Sequence, residues 1–196
     1  MPRVSRAEAQ QHRQQVIDET SRLIREKGAG QVSVPEAMAA AGLTHGGFYR
    51  HFSSKDDLVA QALRAAFGER REAMDRLTGE GPAEGPEEGP SPRTEFVSRY
   101  LSTVHRDNPG GGCPAATLGA EAARAEPGSA VRTAFTAGLR DLVDGLQRLD
   151  GDGRETALAD LSTLVGAILL ARASDDAELS EEILTAARHH LTTPGA

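Results

Sequence analysis

The chain has 196 residues, a formal net charge of -7 and a hydrophobic fraction of 38%, which is enough apolar material for a buried core in one or two units. Its one cysteine, Cys113, excludes an intrachain disulfide framework. No run approaches the ~18 apolar residues of a membrane span and no signal peptide is apparent, so we expect a cytoplasmic protein with no membrane partner.

Composition favours helix over sheet. Aromatic residues make up 4% of the chain, tryptophan is absent, and there are no β-branched runs. Charge is distributed unevenly: residues 1–60 carry eight Lys and Arg against seven Asp and Glu, whereas the remainder carries 14 against 22. Arg3, Arg6 and Arg13 make the first stretch basic, which permits attraction to phosphate on an acidic molecule without demonstrating it.

The first 60 residues predict three helices and the start of a fourth. Apolar residues at helical spacing predict a helix over about 6–28 that ends at Gly28. Ser33-Val34-Pro35-Glu36 forms a capping box for a second, short helix that ends at Gly42. Thr44 is the predicted N-cap of a third helix, with Phe48 and Phe52 on its apolar face. Ser54 begins a fourth helix, which runs to about Leu77.

The remaining chain predicts five more helices after a loop. Residues 79–92 repeat Glu-Gly-Pro three times, as is typical of a mobile, solvated segment. Beyond it, a helix runs up to Asn108, a triple glycine opens a turn, and helices follow over about 114–125, from Pro127 to Gly151, over 153–173 and over 178–192. The sequence thus predicts an all-α protein of about nine helices.

The second and third helices have the spacing of a helix-turn-helix. Only Ala41-Gly42-Leu43-Thr44 joins them, and in that motif the second helix enters the major groove of DNA. Gly46 and Gly47 are poor helix formers, which a close approach to a DNA backbone would explain. The side chains of His45, Tyr49 and His51 can donate to phosphates or base edges, and Lys55 adds a cation in the first turn of the fourth helix.

The segment from Val32 to Leu58 resembles the signature of the TetR family of transcriptional regulators, most specifically in Tyr49-Arg50-His51-Phe52 and Ser54-Lys55. The resemblance covers roughly residues 10–63 and implies that Phe48 and Phe52 pack the domain core. Pro35 departs from the usual pattern, so the operator sequence does not carry over. The DNA-contacting residues we predict are Ser33, Thr44, His45, Gly46, Tyr49, Arg50, His51 and Lys55.

The same resemblance implies a helix-turn-helix domain over residues 1–54 and an effector-binding and dimerisation bundle over 55–196. The implied function is a homodimeric repressor, released from a palindromic double-stranded operator when an unknown small molecule binds. The effector-binding candidates are Phe96, Tyr100, Val104, Cys113, Thr117, Phe135 and Ile168. The dimer-interface candidates are Leu161, Val165, Leu169, Ile183 and Leu184.

Other interpretations remain open at this stage. The apolar positions of the C-terminal half could be ordinary core, and Cys113 could be an oxidant or electrophile sensor or a buried structural residue. An enzyme is disfavoured because no nucleophile, metal or cofactor motif is present, and His189 and His190 point to different sides of a helix. A DNA-binding architectural protein without an effector would have a solidly packed bundle. Activation rather than repression also remains open.

Overall fold

The computed structural model describes residues 5–78, 89–151 and 153–193. These residues form helices joined by turns, and no strand occurs among them, which confirms the predicted all-α fold. The predicted Glu-Gly-Pro loop falls mainly on residues 79–88, which lie outside the described residues, as does Arg3 of the basic N-terminus. The helices are α1 (Arg6–Lys27), α2 (Val34–Ala40), a 3-10 helix (His45–Arg50), α3 (Lys55–Asp75), α4 (Pro92–Tyr100), α5 (Thr103–Asp107), α6 (Pro114–Arg124), α7 (Ala130–Asp150), α8 (Arg154–Ala173) and α9 (Ala177–Thr192).

Side-chain caps fix where the first helices begin. The Ser33 hydroxyl accepts the Glu36 amide proton at 3.3 Å and the Glu36 carboxylate accepts the Ser33 amide proton at 3.4 Å, which confirms the predicted capping box. The Ser54 hydroxyl likewise accepts from the Asp57 amide at 3.0 Å at the start of α3. Because these bonds satisfy amides that a helix leaves unpaired, both starts are readable from local sequence.

The third predicted helix is a 3-10 helix rather than an α-helix. Thr44 occupies the N-cap position, but its side chain makes no capping hydrogen bond. Two successive glycines early in this segment disfavour α-helix, and a short 3-10 turn needs fewer residues to close. Phe48 and Phe52 are buried with ring centroids 5.5 Å apart, so the predicted apolar face persists.

The helix predicted up to Asn108 is broken in two. Leu101 leaves helical geometry with φ -92° and ψ 53°, and the Ser102 hydroxyl then caps α5 by accepting the His105 amide proton at 3.2 Å. The break places Val104 on α5 rather than on the helix that carries Phe96 and Tyr100, and Val104 is 76% exposed. A serine that caps a new helix competes with continuation of the old one.

The start of α7 also differs from the prediction. Pro127 lies in the preceding turn with Gly128, whose φ is +79°, and the helix begins at Ala130. The Ser129 hydroxyl caps it by accepting the Arg132 amide proton at 3.3 Å. A serine three residues before an unpaired amide is a stronger local start than the proline before it.

Close packing of α3 on α7 connects the two halves of the chain. A Cβ added at Gly138 of α7 would overlap the ring of Phe67 on α3, and one at Gly145 would lie 2.8 Å from the Met74 methyl group. Glycines seven residues apart lie on one helix face, so they let the backbone of α7 approach α3. α3 therefore extends from the N-terminal helices into the centre of the C-terminal bundle.

Among the described helices, α8 is long and apolar enough to cross a membrane by length and composition, with a mean hydropathy of 1.4. Of that apolar window, 39% is buried against other helices. This is weak evidence for a membrane span, because the core helices of soluble proteins have the same composition. Its exposed apolar positions include Leu158, Leu169 and Leu170.

Candidate nucleic-acid interface

The 3-10 helix has an exposed polar face, and a buried aromatic side chain packs beneath it. The side chain of Tyr49 is 79% exposed, and its ring lies edge-on to the buried Phe48 ring at 5.1 Å between centroids and 82° between planes. A Cβ added at Gly46 would meet only open space. The packing of Phe48 therefore fixes the backbone from which the Tyr49 phenol projects into solvent.

Positive charge surrounds the end of this helix. Burial is the main cause that lowers the pKa of His51, and the nearby His12, Arg13 and Arg50 lower it further. The Arg13 guanidinium lies 5.5 Å from the centroid of the Phe52 ring. His51 is thus held neutral beside cations, so that it can donate one hydrogen bond within a region attractive to phosphate.

The start of α3 forms the neighbouring part of this surface. The Ser53 amide and hydroxyl both donate to the Asp57 carboxylate at 3.0 Å, and the backbone bond is the main cause that lowers the pKa of Asp57. The Lys55 ammonium lies 3.4 Å from the carbonyl oxygen of Gly30. An ammonium beside the N-terminus of a long helix is a suitable place for a phosphate.

The predicted contact residues all lie on accessible parts of this region. His51 and Lys55 are half-buried and the others are exposed. Within the described part of the chain, the side chains of His45, Tyr49 and Arg50 make no hydrogen bond or ion pair, so their donors face solvent. We call the surface formed by Ser33, Thr44, His45, Gly46, Tyr49, Arg50, His51 and Lys55 the polar helix-turn-helix face.

The segment that forms this face matches a known family model. Residues 16–62 match the model described as bacterial regulatory proteins, tetR family. This segment of the chain is therefore similar to the TetR family. The match extends from the middle of α1 into α3, and so contains both helices of the helix-turn-helix and the polar face between them.

Two curated transcriptional regulators are similar to part of this chain. The HTH-type transcriptional regulator AcrR of Shigella flexneri is 39% identical over 61 residues, which cover 31% of this chain and 28% of AcrR. The HTH-type transcriptional regulator TtgR of Pseudomonas putida is 33% identical over 76 residues, which cover 39% of this chain and 36% of TtgR. The matches thus cover at most 36% of the length of these curated relatives.

Solved structures extend the likeness to the whole fold. The reduced form of E. coli NemR superimposes with a TM-score of 0.73 at 22% identity, over 95% of this chain and 100% of that one. A TetR regulator from Chloroflexus aurantiacus gives 0.72 at 23% identity, over 95% and 97%. At this identity the likeness shows the fold alone, and that fold includes the C-terminal helices of this chain.

Two cavities divide the predicted effector residues. Phe96 and Tyr100 line a cavity of about 660 Å³ beside α3, α4 and α5, with the exposed Val104 at its rim. Phe135 lines a separate cavity of about 420 Å³ beside α6, α7 and α8. The predicted effector residues that line a cavity are therefore divided between two cavities.

Three further effector candidates line neither cavity. Cys113 and Ile168 are fully buried in the core, and Thr117 is half-buried with its hydroxyl 3.4 Å from the Cys113 carbonyl oxygen. Their role in effector binding therefore stays a prediction, and the burial of Cys113 favours its structural interpretation over sensing.

The predicted dimer residues also separate by exposure. Leu169 is 43% exposed, and Val165 and Ile183 are half-buried. Leu161 and Leu184 are instead buried within the protomer, so they contribute to its own core, and their prediction as interface residues is corrected. Sequence reasoning missed three other exposed leucines on α8 and α9, which are Leu158, Leu170 and Leu179.

A buried arginine links α1 to the C-terminal half of the chain. The Arg25 guanidinium is held by both oxygens of Glu69 on α3, at 2.8 and 3.2 Å, and donates to the Gly112 carbonyl oxygen at 3.2 Å. Sequence reasoning missed it, although a charged residue beside the apolar Ile24 near the end of α1 is a usable signal. Its partners are 44 and 87 residues away, so only the fold identifies them.

A second link joins α6 to the turn after α1. The Glu121 carboxylate accepts the amide protons of Ala29 at 2.8 Å and Gly30 at 3.3 Å. The carbonyl of Gly30 is also the oxygen that Lys55 contacts. The polar helix-turn-helix face is therefore one backbone turn away from α6.

Proposed function

We propose that this chain is a DNA-binding transcriptional regulator, a homodimeric repressor that leaves a palindromic operator when a small molecule binds its C-terminal domain. The observation that carries the proposal is Tyr49, which is exposed, unpaired and supported by Phe48 on the second helix of a helix-turn-helix. AcrR and TtgR, which match part of the chain, are named as HTH-type transcriptional regulators.

DNA binding would use two kinds of contact. Tyr49, His51 and Lys55 are placed to donate to phosphates, which fix the position of a protein on a duplex. The open position at Gly46 lets the backbone come close to the groove, where His45 and Arg50 would reach base edges. Basic groups concentrated at this face supply the attraction that the net charge of -7 does not.

A homodimer supplies the second reading surface. One 3-10 helix makes too few base contacts for useful specificity, whereas a two-fold pair reads both halves of a palindrome about 34 Å apart. The apolar residues left exposed on α8 and α9 favour these helices as the contact between protomers. They would also explain why α8 is so apolar.

Release from DNA would follow from the two links between the halves of the chain. A ligand that shifts α6 changes the position of the turn that Glu121 holds, and one that shifts α3 moves the Glu69 partner of Arg25. A ligand that binds the shifted arrangement more tightly moves the population of dimers away from the operator-binding spacing. Two cavities in the C-terminal half favour this regulator over an architectural protein with a solid bundle.

The experiment is selection of bound duplexes from a random-sequence pool, followed by sequencing. We expect the recovered duplexes to share an inverted repeat with two matching halves. The protein itself would act in the cytoplasm, on free operator DNA. Enrichment of one unrepeated half-site would contradict the homodimer on a palindrome. No enrichment of any sequence would contradict the regulator itself and favour the architectural alternative.

A further inference from the structure

The larger cavity has an apolar wall that suits a planar organic molecule. The Phe96 and Tyr100 rings lie 5.7 Å apart at 43°, and the Tyr100 ring lies edge-on to His105 at 4.6 Å. With Ala73 and Leu77 from the end of α3, these rings form one side of a space of about 660 Å³. That volume is in the range of small-molecule sites, which are roughly 300–1,000 Å³.

Buried donors without partners lie in the same wall. The Tyr100 side chain is 6% exposed, and its hydroxyl lies close to the Cys113 thiol, a weak acceptor, without the geometry of a hydrogen bond to it or to any other group in the described structure. The Nε of Arg70, another lining residue, is buried and equally unpartnered. A buried polar group without a partner costs roughly 1–3 kcal/mol, so such groups call for an explanation.

A second arginine lies behind this wall. Arg172 donates to the carbonyl oxygens of Arg106 at 2.9 Å and His105 at 2.5 Å, and its Nη1 is buried without a partner. The charges of Arg70 and Arg172 both lower the pKa of His105, although burial is the main cause. The guanidinium groups of Arg70 and Arg172 thus both lie near His105, on the side of the cavity that this residue lines.

Tyr100 and His105 are neutral groups of the cavity wall, and each keeps a proton that it can donate in a hydrogen bond. Burial, with the adjacent Cys113 thiol, keeps the pKa of Tyr100 well above its usual value, so the phenol retains its proton. Burial lowers the pKa of His105 to about 4, and the neutral ring bridges the Tyr100 carbonyl oxygen and the Cys113 amide, at 2.6 and 2.9 Å. Both nitrogens of the His105 ring are therefore paired. The unpartnered donors of the lining residues are the Tyr100 hydroxyl and the Arg70 Nε.

Acidic groups of the described residues do not balance this charge. Among the described lining residues, Glu95 is the one carboxylate, and it pairs with Arg99, which also lines the cavity. That pair lies one turn apart on α4, and the Arg99 side chain is 73% exposed. The positive charge of Arg70 is left without a counterion in the part of the chain that the structure describes.

We propose that this cavity binds small planar organic anions, with the acid group accepting hydrogen bonds from Tyr100 and Arg70 and the ring lying against Phe96. The inference rests on the proposed function, since it gives the chemical class of the effector. An anion satisfies both orphan donors at once, whereas a neutral or cationic molecule of the same shape leaves the Arg70 charge uncompensated.

The test is isothermal titration calorimetry of the full chain with three probes that share a ring and differ in charge. These probes are 2-naphthoate, 2-naphthamide and 2-naphthylmethylammonium. We expect naphthoate to bind at least about tenfold more tightly than either of the others, as charge-assisted hydrogen bonds predict. Equal affinities for naphthoate and naphthamide, or no binding of naphthoate, would overturn the inference.

Variants locate the binding. Tyr100→Phe and Arg70→Gln should each weaken naphthoate about tenfold and leave naphthamide within about twofold, because one donor to the anion is lost. Arg99→Gln is the matched control and should change naphthoate binding less than about threefold, since Arg99 is exposed and already paired. Unchanged naphthoate affinity in Tyr100→Phe would overturn the assignment.

Two further measurements distinguish a failure of this inference from a structural effect of the variant and from a failure of the proposed function. Tyr100→Phe should melt no lower than the parent without probe, because it removes a buried hydroxyl that has no partner. Operator binding is measured without any probe. If the protein binds operator DNA but does not prefer naphthoate, only the inference that the effector is an anion is overturned. If the protein does not bind operator DNA, the proposed function as a regulator is overturned, whatever the cavity binds.

Discussion

The carboxylate of Glu121 on α6 lies 2.8 Å from the backbone nitrogen of Ala29, in the turn that follows α1. The two residues are 92 positions apart in sequence. The same carboxylate accepts from Gly30 at 3.3 Å, so one side chain holds two consecutive amides of that turn. The C-terminal half thereby contacts the segment that supports Lys55.

Glu121→Ala should loosen this turn. Removing a charged acceptor from two amides is expected to lower the free energy of unfolding by about 1–3 kcal/mol, measured by urea denaturation. Hydrogen exchange at the Ala29 and Gly30 amides should accelerate. Glu126→Ala is the control, because Glu126 is exposed beyond the end of α6. Unchanged exchange at both amides in Glu121→Ala would show that the link is not formed in solution.

Tyr49→Ala should weaken DNA binding without weakening the fold. Loss of one phosphate contact per protomer is expected to lower affinity roughly tenfold across related sequences, since phosphate contacts position a protein without reading bases. The melting temperature should stay unchanged because the side chain is exposed. Fluorescence anisotropy with several duplexes measures the effect, and wild-type affinity in the variant would remove Tyr49 from the DNA contact.

Lys55→Gln should reduce the salt dependence of binding. Each phosphate neutralised contributes about 0.9 to the slope of log affinity against log salt, so the slope should fall by about 1 per protomer. Arg76→Gln removes the same charge at the end of α3 opposite to Lys55, and Arg76 is exposed there. An equal change of slope in both variants would indicate a general charge effect rather than a contact at Lys55.

Leu169→Glu should shift the protein toward monomers. A carboxylate at a half-exposed apolar position of α8 would be buried twice across a two-fold contact, and we expect the dimer dissociation constant to rise at least about tenfold. Sedimentation velocity over a concentration series measures it. Gln15→Glu adds the same charge on exposed α1 and should leave the association unchanged. A variant that remains as dimeric as its parent would place the interface elsewhere.

His105 should make stability depend on pH. Its pKa falls from the ordinary 6.5 to about 4 on folding, mainly through burial, so the unfolded chain binds the proton more readily than the folded one. The contribution is therefore complete above pH 6.5 and is lost as the pH falls toward 4, with a total of about 3 kcal/mol. In His105→Gln the free energy of unfolding should fall less over that range. Identical slopes in both proteins would contradict this assignment.

Features set by neighbouring residues could be predicted from sequence, and features set by distant contacts could not. Ser33 with Glu36 and Ser54 with Asp57 mark their helix starts within four residues, so α2 and α3 were located well. The motif Tyr49 to Phe52 is equally local. The 3-10 geometry and the break at Leu101 depend on small differences between competing local hydrogen bonds, which periodicity does not report.

The C-terminal half was less predictable because its apolar residues do not reveal their neighbours. Leu169 and Leu184 look alike in sequence, yet Leu169 is exposed and Leu184 is buried. Phe96 and Phe135 line different cavities for the same reason. The orphan hydroxyl of Tyr100 appears only when the surrounding helices are in place.

The measurement that tests the central claim most directly is fluorescence anisotropy of this protein with DNA that flanks its own gene, at two salt concentrations and with a scrambled duplex of equal length. We predict tight binding of one dimer per site, at least about a thousandfold preference over the scrambled duplex, and a marked loss of affinity at the higher salt. Equal affinity for both duplexes at both salt concentrations would contradict a sequence-specific regulator acting there.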